Sequence, residues 1–257
     1  MAPNFDSLTI LFPMWNEELT IARTVDAARE IGDKLVDDGE IASYEVLIVD
    51  DASTDATGEL SDKLAADDDR VRVVHHPVNR KLGGTIKTGL GASRGQLVLY
   101  TDADLPFDLA DLAKAVRLLR VYDADIVSAY RLDRTGEGWR RALYSFVYNA
   151  LVRSLLGLPV RDVNFAFKLI RREVLDHVRL RSEGSFIDVE LLARARRLGF
   201  GIIQFGVDFF PRTRGVSTLS SPPVILRIVR EMSTLIPAIR RIEPLPREVR
   251  RPSLPTP

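Results

Sequence analysis

The sequence predicts an α/β fold in which a mostly parallel sheet is flanked by helices. Short apolar runs alternate with amphipathic stretches up to residue 130, and this alternation is typical of parallel strands joined through helices. The chain has 257 residues, 46% of them hydrophobic, which is enough for one α/β domain with a sizeable core. Polar clusters follow three of the apolar runs, at the sheet edge where such folds bind ligands.

Five apolar runs in the first half are predicted to be buried strands because they are short and bounded by polar or turn-forming residues. They are residues 8–12, 46–49, 71–74, 97–101 and 125–129. Helices are predicted between them, after Asn16, from near Thr54, over 83–94 and over 108–121. We expect Asn16 to cap the first of these helices, which places Ile21, Val25, Ala28, Ile31 and Leu35 on one face.

In the second half of the chain, the regular alternation of strands and helices is not continued. Helices are predicted over 139–156, over 187–198 and over 224–242, the last interrupted at Pro237, and residues 202–210 are strand-like. We therefore expect a main domain over 1–220, an amphipathic helical segment over 221–243, and a disordered tail over 244–257, which holds five prolines.

Composition excludes several classes of protein. Lys and Arg number 36, as do Asp and Glu, so bulk attraction to nucleic acid is not indicated. Cysteine is absent, which excludes disulfides, thiolate nucleophiles and cysteine metal sites. No apolar run approaches the ~18 to 20 residues of a membrane span, and the first residues lack a signal-peptide pattern. We expect a cytoplasmic protein, soluble or peripheral at the inner face of a membrane.

The cluster Asp102-Ala103-Asp104 follows the fourth predicted strand. Residues two apart in an extended chain point to the same side, so both carboxylates can converge on one spot. Mg²⁺ and Mn²⁺ prefer oxygen ligands and are typically held by one or two carboxylates together with substrate phosphates. The alternative is that the two aspartates merely begin a turn before Pro106.

The other two clusters follow the first and second strands. Asp50 and Asp51 open a turn in which Ser53 or Thr54 is expected to cap the next helix. Because adjacent carboxylates repel each other, we favour a binding role for one of them, such as accepting a uracil or guanine N–H. Trp15, in the first cluster, is placed to stack on a base or ribose, or else simply packs at the strand end.

Four motifs resemble glycosyltransferase family 2, in the order and at the spacing found there. They are FPMWNEE, IVDDASTDAT, NRKLGGTIKTGLGASRG and YTDADLPFD, and the resemblance extends over about residues 8–220. It implies a GT-A (Rossmann-like) domain that transfers a sugar from a nucleotide-sugar with inversion at the anomeric centre. The chain most resembles the polyprenyl-phosphate branch of the family, whose acceptor is a lipid phosphate.

The resemblance also implies roles for individual residues. The nucleotide-sugar set is Pro13, Trp15, Asn16, Glu17, Asp50, Asp51, Lys81, Gly84, Lys87, Asp102 and Ala103. Asp102 and Asp104 match the Asp-x-Asp motif that holds Mg²⁺ or Mn²⁺ and the diphosphate. Catalysis is assigned to Asp104, Arg131 and Arg212. The acceptor-phosphate set is Arg131, Asn164, Lys168, Arg212 and Ser217.

Two segments depart from the family pattern. In the segment that often reads Asp-x-x-x-Gly-Phe-Arg, Ala166 replaces the glycine and Lys168 the arginine. In the loop that resembles Arg-x-x-Gly-x-Ser, Thr218 stands where a lysine often follows. Both departures concern the sugar or the acceptor and leave the nucleotide half intact.

The nature of the acceptor stays open at this level. A phosphate monoester needs no general base because it is largely dianionic at neutral pH, whereas a hydroxyl acceptor needs one. Asp188 and Glu190 keep the hydroxyl alternative open, although acidic residues also simply favour a helix N-terminus. For a lipid acceptor, residues 142–156 and 224–241 are candidates for membrane contact, and an ordinary core-facing helix gives the same pattern.

Three further classes are weighed against a transferase. A non-catalytic module that binds nucleotide-sugars would be favoured by loss of the Asp-x-Asp pair, and both aspartates are present. A dinucleotide oxidoreductase is not favoured, because the run from Gly89 to Arg94 lacks the third glycine and lies in the third helix. A nucleotidyltransferase would be expected to carry a Gly-rich basic loop after the first strand, where this chain has FPMWNEE.

Overall fold

The computed structural model describes residues 3–133, 139–210 and 222–250, without the side chains of 139–145, 147 and 222–229. Its centre is a seven-stranded sheet in the order β3-β2-β1-β4-β6-β5-β7. The strands are β1 (Phe5–Met14), β2 (Ile41–Asp50), β3 (Val71–His75), β4 (Leu97–Thr101), β5 (Ile126–Arg131), β6 (Phe167–Arg171) and β7 (Ile202–Val207). Only β6 runs antiparallel to its neighbours, so the predicted mostly parallel sheet is confirmed.

Nine helices occur in the part of the chain that the structure describes. They are α1 (Ile21–Asp37), α2 (Thr57–Asp67), α3 (Lys81–Ala92), α4 (Asp111–Val121), α5 (Trp139–Leu156), α6 (Arg172–His177), α7 (Ile187–Leu198), α8 (Pro222–Arg240) and α9 (Arg247–Arg250). All seven helices predicted from the sequence are present. The predicted interruption at Pro237 is wrong, since α8 continues through that residue.

The capping predictions for α1 and α2 are also wrong. Asn16 lies in the left-handed region with φ of 58°, and α1 begins only at Ile21. Similarly, α2 begins at Thr57, beyond Ser53 and Thr54. Asn16, Ser53 and Thr54 do not cap helices but form hydrogen bonds with one another, which connect two loops at the edge of the sheet.

Strand β6, which lies between β4 and β5, is not predicted from the sequence. Its five residues show no alternation of apolar and polar side chains, and they include Lys168, whose charge argues against a buried strand. The structure nevertheless buries Lys168 completely, opposite Tyr100 on β4 and Ser128 on β5. A local pattern does not reveal such a strand, because a distant charge makes the burial of this lysine possible.

The sheet has a hydrophobic core on each face. One core lies under α1 and α4 and includes Leu8, Ile10 and Phe12 of β1, whereas Leu11 points into the other core. That second core lies under α3, α5, α7 and α8. The predicted face of α1 is confirmed, with Ile21, Val25, Ala28, Ile31 and Leu35 all buried.

Helix α8 contributes to the second core. Met232, Leu235, Ile236 and Ile239 are buried there, so the C-terminal half of the predicted amphipathic segment faces protein. On α5, by contrast, Phe146 is 71% exposed. Among the helices that the structure describes, none combines the length and apolar character needed to cross a bilayer.

Part of the segment that we predicted to be a disordered tail is described. Residues 244–250 lie at the end of α7, where the Leu245 amide donates to the Leu198 carbonyl at 3.0 Å. The Arg250 guanidinium donates to the Gly199 carbonyl. The division of the chain at residues 220 and 243 stays a prediction, and residues 251–257 lie outside the described ranges.

Glycines in α3 allow close packing at its first turn. A Cβ atom at Gly83 would lie 2.6 Å from the backbone carbonyl carbon of Glu183, which cannot move aside as a flexible side chain can. At Gly91, near the other end of the same helix, nothing lies within 4 Å of such an atom. Gly89 packs its α-carbon against the side chain of Leu11, so α3 approaches the sheet closely at this position.

We predict opposite effects for alanine at two glycines of α3. Gly91→Ala should raise the free energy of unfolding by up to ~1 kcal/mol, because alanine is the better helix former. Gly83→Ala should lower it by about 1–3 kcal/mol, because overpacking against backbone outweighs the same gain in helix propensity. Urea unfolding of both variants measures the difference. Equal stability of the two variants would contradict the close approach at Gly83.

Candidate active site

The candidate site lies at the carboxyl ends of β1, β2 and β4. These strands are parallel neighbours, with Met14 paired to Asp50 and Leu11 paired to Tyr100. The three polar clusters predicted from the sequence directly follow them. The fold therefore brings the clusters to one edge of the sheet, as expected for ligand sites in open α/β sheets.

Hydrogen bonds connect the β1–α1 loop to the β2–α2 loop. The Asn16 amide donates to Ser53 Oγ at 3.0 Å, and Asn16 Oδ1 accepts from the Thr54 amide at 2.8 Å. The Glu17 amide donates to Thr57 Oγ1 at 2.7 Å. The positive φ of Asn16 makes this crossing possible. Asn16 and Glu17, which we expected to hold the nucleoside, therefore also hold the two loops together.

Pro13 and Trp15 have different environments. Pro13 is half-buried in β1 and is paired with Val49. Its missing N–H is tolerated there because the described pairing of β1 with β4 ends two residues earlier, at Leu11. Trp15 is 54% exposed at the tip of the loop, so simple packing at the strand end is not what the structure shows. Its ring is available for stacking on a ligand.

Asp50 is buried and stabilises its own turn. Its Oδ1 accepts from the Ser53 amide at 3.0 Å, and its Oδ2 lies 2.9 Å from His75 Nδ1. Burial by itself would raise the pKa of Asp50, but the hydrogen bonds from Ser53 and His75 prevail and lower it. Asp50 is thus an ionised structural partner of His75.

Asp51 is buried as well but has a different set of partners. Its Oδ1 accepts from the Arg80 amide at 2.7 Å and lies 2.7 Å from His76 Nδ1. Its backbone is fixed on both sides, since its amide donates to the Met14 carbonyl and its carbonyl accepts from Asn79 Nδ2. Within residues 3–133, 139–210 and 222–250, no hydrogen bond reaches Oδ2.

Helix α1 supports the turn that carries Asp102 and Asp104. The Thr24 hydroxyl donates to the Ala103 carbonyl, and Arg23 donates to the Asp104 carbonyl at 3.3 Å. Leu105 follows with φ of 44°, so the chain turns sharply after the second aspartate. The backbone of the Asp-x-Asp segment is therefore held at the end of β4.

The donor set at this turn suits Mg²⁺ or Mn²⁺. Asp102 and Asp104 offer hard carboxylate oxygens, and no group of three or more His, Cys, Asp or Glu residues that could hold a metal ion is found in the described part of the chain. A site with two carboxylates lacks a full protein cage. This is the arrangement expected where substrate phosphates and water complete an octahedral shell.

The three residues predicted on α3 are differently placed. Lys81 begins the helix, exposed and with φ of 63°. Gly84 packs closely against the Arg80 side chain, where a Cβ atom would lie 2.6 Å from that of Arg80. Lys87 forms an ion pair with Glu183 and lines a cavity of about 450 Å³, none of whose lining residues belongs to the three polar clusters.

Arg131 forms a buried ion pair with Asp162. Its Nε and Nη2 donate to the two carboxylate oxygens at 2.6 and 2.7 Å, and its guanidinium lies over the rings of Phe165 and Phe209 at 5.9 and 5.1 Å. Two of its nitrogens are thus engaged by Asp162. A role for Arg131 in binding phosphate stays a prediction.

Lys168 and Asp188 form a second buried pair. Lys168 Nζ lies 2.6 Å from Asp188 Oδ1 and donates to the Phe165 carbonyl at 2.8 Å. Burial raises the pKa of Asp188, and the charge of Lys168 opposes that rise. Burial also raises the pKa of the adjacent Tyr100 phenol. The Lys168 side chain is therefore enclosed in the protein and engaged by Asp188, and its role in binding acceptor phosphate stays a prediction.

The remaining acceptor residues are only partly described. Asn164 is half-buried beside Tyr148, whose pKa is raised chiefly by burial. Glu190 is buried and accepts from Arg194 Nε and from the amides of Arg181 and Ser182. Arg212 and Ser217 lie outside the described residues.

Three residues at or near the site were missed by the sequence analysis. His75 ends β3 and pairs with Asp50, and His76 follows it and pairs with Asp51. Two adjacent histidines among only three in the chain, at the end of a predicted strand, were an available signal. Asp162, the partner of Arg131, was noted only as the start of a motif because its partner is distant in sequence.

A family model described as "Glycosyl transferase family 2" matches residues 9–179. The polyprenol monophosphomannose synthase of Mycolicibacterium smegmatis is 36% identical over 68% of this chain and 70% of that protein. The undecaprenyl-phosphate mannosyltransferase of Micrococcus luteus is 33% identical over 83% of this chain and 87% of its own length. Glycosyltransferase AglD of Haloferax volcanii is 34% identical over 80% of this chain, which spans 33% of that longer protein.

Solved structures with a similar fold include two synthases. Glucosyl-3-phosphoglycerate synthase of Mycobacterium tuberculosis, solved with Mn²⁺, UDP-glucose and phosphoglyceric acid, has a TM-score of 0.65 at 23% identity. The match covers 89% of this chain and 80% of that one. Mannosyl-3-phosphoglycerate synthase of Rubrobacter xylanophilus has a TM-score of 0.64 at 20% identity, covering 97% and 78%. At this identity the likeness supports the fold, which is GT-A.

The His75–Asp50 pair should make stability depend on pH. Hydrogen bonds from His75 to Asp50 and Asp62 raise its pKa above the ordinary value. The protonated His75 therefore stabilises the folded state fully at pH values below its pKa in the unfolded chain, about 6.5. This stabilisation is lost as the pH rises through the pKa of His75 in the folded protein. We predict that His75→Gln costs more stability at about pH 5.5 than at about pH 9.

The difference should stay below about 1 kcal/mol, because the His75 side chain is 40% exposed. Urea unfolding of wild type and variant at both pH values measures it. An equal cost at the two pH values would show that the charge of His75 plays no part.

Removing one member of the Lys168–Asp188 pair should be costly. Lys168→Met leaves a buried carboxylate without its cation, and we predict a loss of about 3–5 kcal/mol in the free energy of unfolding. The double variant Lys168→Met/Asp188→Leu removes both charges and should recover most of that loss. Additive losses in the double variant would contradict direct coupling between the two side chains.

Proposed function

The chain belongs to glycosyltransferase family 2, and we propose that it moves a sugar from a UDP- or GDP-sugar to a polyprenyl phosphate. The observation that carries the proposal is the meeting of three polar loops at one sheet edge, with two carboxylates suited to a metal-bound diphosphate. The named functions of the relatives from M. smegmatis and M. luteus support the lipid-phosphate acceptor.

In the donor half of the reaction, this chain positions the nucleotide. Trp15 stacks on the base or ribose, and Asp51 accepts a hydrogen bond from the base. Hydrogen bonds between the β1–α1 and β2–α2 loops hold the backbone of both loops in place. Asp102 and Asp104 are the residues that would hold a metal ion, Mg²⁺ or Mn²⁺, which would supply Lewis-acid stabilisation of the diphosphate leaving group.

In the acceptor half, the two candidate bases are both occupied. Asp188 is paired with Lys168, and Glu190 is paired with Arg194. A hydroxyl acceptor needs a base within reach of its proton, whereas a phosphate dianion attacks without one. The engagement of both carboxylates therefore favours a phosphate acceptor.

We place Arg131, Arg212 and Ser217 as the groups that receive the acceptor phosphate. Arginine suits phosphate because its planar fork carries several donors. The guanidinium of Arg131 lies over the rings of both Phe165 and Phe209, which limits its movement. A lipid acceptor also requires contact with a membrane surface, and the exposed Phe146 on α5 is a candidate for that contact at the cytoplasmic face.

We predict that Asp104→Asn lowers sugar transfer by about 100-fold or more, since a bound metal supplies several kcal/mol of charge stabilisation. The measurement is nucleotide release by the full chain, with UDP- and GDP-sugars, Mg²⁺ or Mn²⁺, and with or without polyprenyl phosphate. Asp69→Asn, at an exposed aspartate before β3, is the matched control and should behave as wild type.

Release that requires the lipid phosphate and is lost in Asp104→Asn supports the proposal and identifies the donor. Release that occurs only with a hydroxyl acceptor would assign a different acceptor class. Unchanged release by Asp104→Asn would remove the metal role, and no binding of any nucleotide-sugar would overturn the transferase as a whole.

A further inference from the structure

We propose that His76 is a positioning residue that fixes Asp51 with Oδ2 directed to the nucleobase of the donor. The inference rests on the proposed function, since it takes the ligand at this edge of the sheet to be a nucleotide. It adds a residue and a hydrogen-bond direction to that function, and it gives a physical reason for the choice of base.

The carboxylate of Asp51 has one occupied and one available oxygen. Oδ1 receives the Arg80 amide at 2.7 Å and faces His76 Nδ1 at 2.7 Å. No donor among residues 3–133, 139–210 and 222–250 reaches Oδ2. Because a buried carboxylate is strongly stabilised by hydrogen bonds, the occupied oxygen anchors the group and the other oxygen is left for a ligand.

The network around His76 has a defined direction. Arg80 Nη1, which can only donate, lies 3.3 Å from Thr88 Oγ1. His76 Nδ1 faces Asp51 Oδ1 at 2.7 Å, and because a carboxylate oxygen only accepts, Nδ1 carries a proton and donates it to Asp51. The Thr88 hydroxyl accepts from Arg80, and its own proton is within reach of His76 Nε2 at 2.9 Å, which suits the tautomer with the proton on Nδ1. This tautomer is inferred from the network.

The ring of contacts is closed and rigid. Arg80 takes part twice, with its amide on Asp51 and its guanidinium on Thr88. The His76 side chain is 5% exposed, and its amide donates to the Asp50 carbonyl at 2.9 Å. A rotation of the Asp51 carboxylate would break two hydrogen bonds at once, so the network holds its orientation before a ligand arrives.

An ionised carboxylate oxygen that accepts but cannot donate selects a base with an N–H group. Uracil N3–H and guanine N1–H are such groups, each beside a carbonyl. Adenine and cytosine present an unprotonated ring nitrogen at the equivalent position, which the carboxylate would repel. His76 is therefore expected to contribute to both the affinity and the selectivity for uridine or guanosine nucleotides.

Two substitutions at His76 separate this role from simple packing. Asn carries an amide nitrogen near the position of Nδ1 and can still donate to Asp51, whereas Gln carries its amide nitrogen near Nε2 and meets Thr88 instead. We expect His76→Asn to bind UDP or GDP within about threefold of wild type, and His76→Gln to raise the Kd about tenfold.

The experiment is calorimetric titration of the full chain with UDP, GDP, ADP and CDP in the presence of Mn²⁺, after thermal melting has shown that each variant is folded. His177→Gln is the control and should bind as wild type, because His177 lies on α6, where its Nδ1 bonds to the Glu173 carbonyl, and contacts none of the described residues of the proposed base site. In turnover, His76→Gln should raise the donor KM more than it lowers kcat, because the base is remote from the bond that breaks.

Weaker binding by His76→Gln than by His76→Asn supports the inference. If the two variants bind alike, whether tightly or weakly, His76 does not act through Asp51 and the inference is overturned. If ADP and CDP bind wild type as well as UDP and GDP, the selectivity is overturned. If wild type binds none of the four nucleotides, the proposed function itself is overturned, and this inference, which depends on it, is overturned as well.

Discussion

The parallel pairing of β1 with β2 on one side and with β4 on the other is the constraint on which the site depends. Because these three strands run in the same direction, their carboxyl ends meet at one edge. The residues that follow them, from Trp15, Asp51 and Asp102 onward, are thereby gathered from separate parts of the sequence. Without this register, each cluster would be an isolated turn, and the local sequence of any one cluster indicates no more than a turn.

The loops at this edge are held together by hydrogen bonds between polar residues that the sequence predicts to bind ligand. Asn16 connects two loops through Ser53 and Thr54, and Asp50 stabilises its own turn and His75. Side chains of the kind that bind ligands thus form hydrogen bonds with one another in this structure. This arrangement orders the nucleotide half of the site in advance, so less entropy is lost when a ligand is bound.

The second half of the chain is organised by buried charge. Ion pairs among its described residues include those of Arg131 with Asp162, Lys168 with Asp188, and Glu190 with Arg194. Buried pairs contribute little net stability, but loss of one partner is costly. They therefore favour a single arrangement of the reversed strand between β4 and β5. The same pairs occupy carboxylates that otherwise resemble general bases.

The sequence by itself determined the strand–helix alternation of the first half, the apolar face of α1, seven of the nine described helices at their approximate bounds, and the location of the polar clusters after β1, β2 and β4. Each of these follows from local periodicity or from motifs within a few residues. Tertiary structure alone decided that Asn16 joins two loops rather than capping a helix, that Lys168 is buried within a strand, and that His76 contacts Asp51. In every such case the deciding partner lies far away in sequence, at Thr54, Asp188 and Asp51, and a side chain's hydrogen bonds and burial depend on partners that only the folded chain brings within reach.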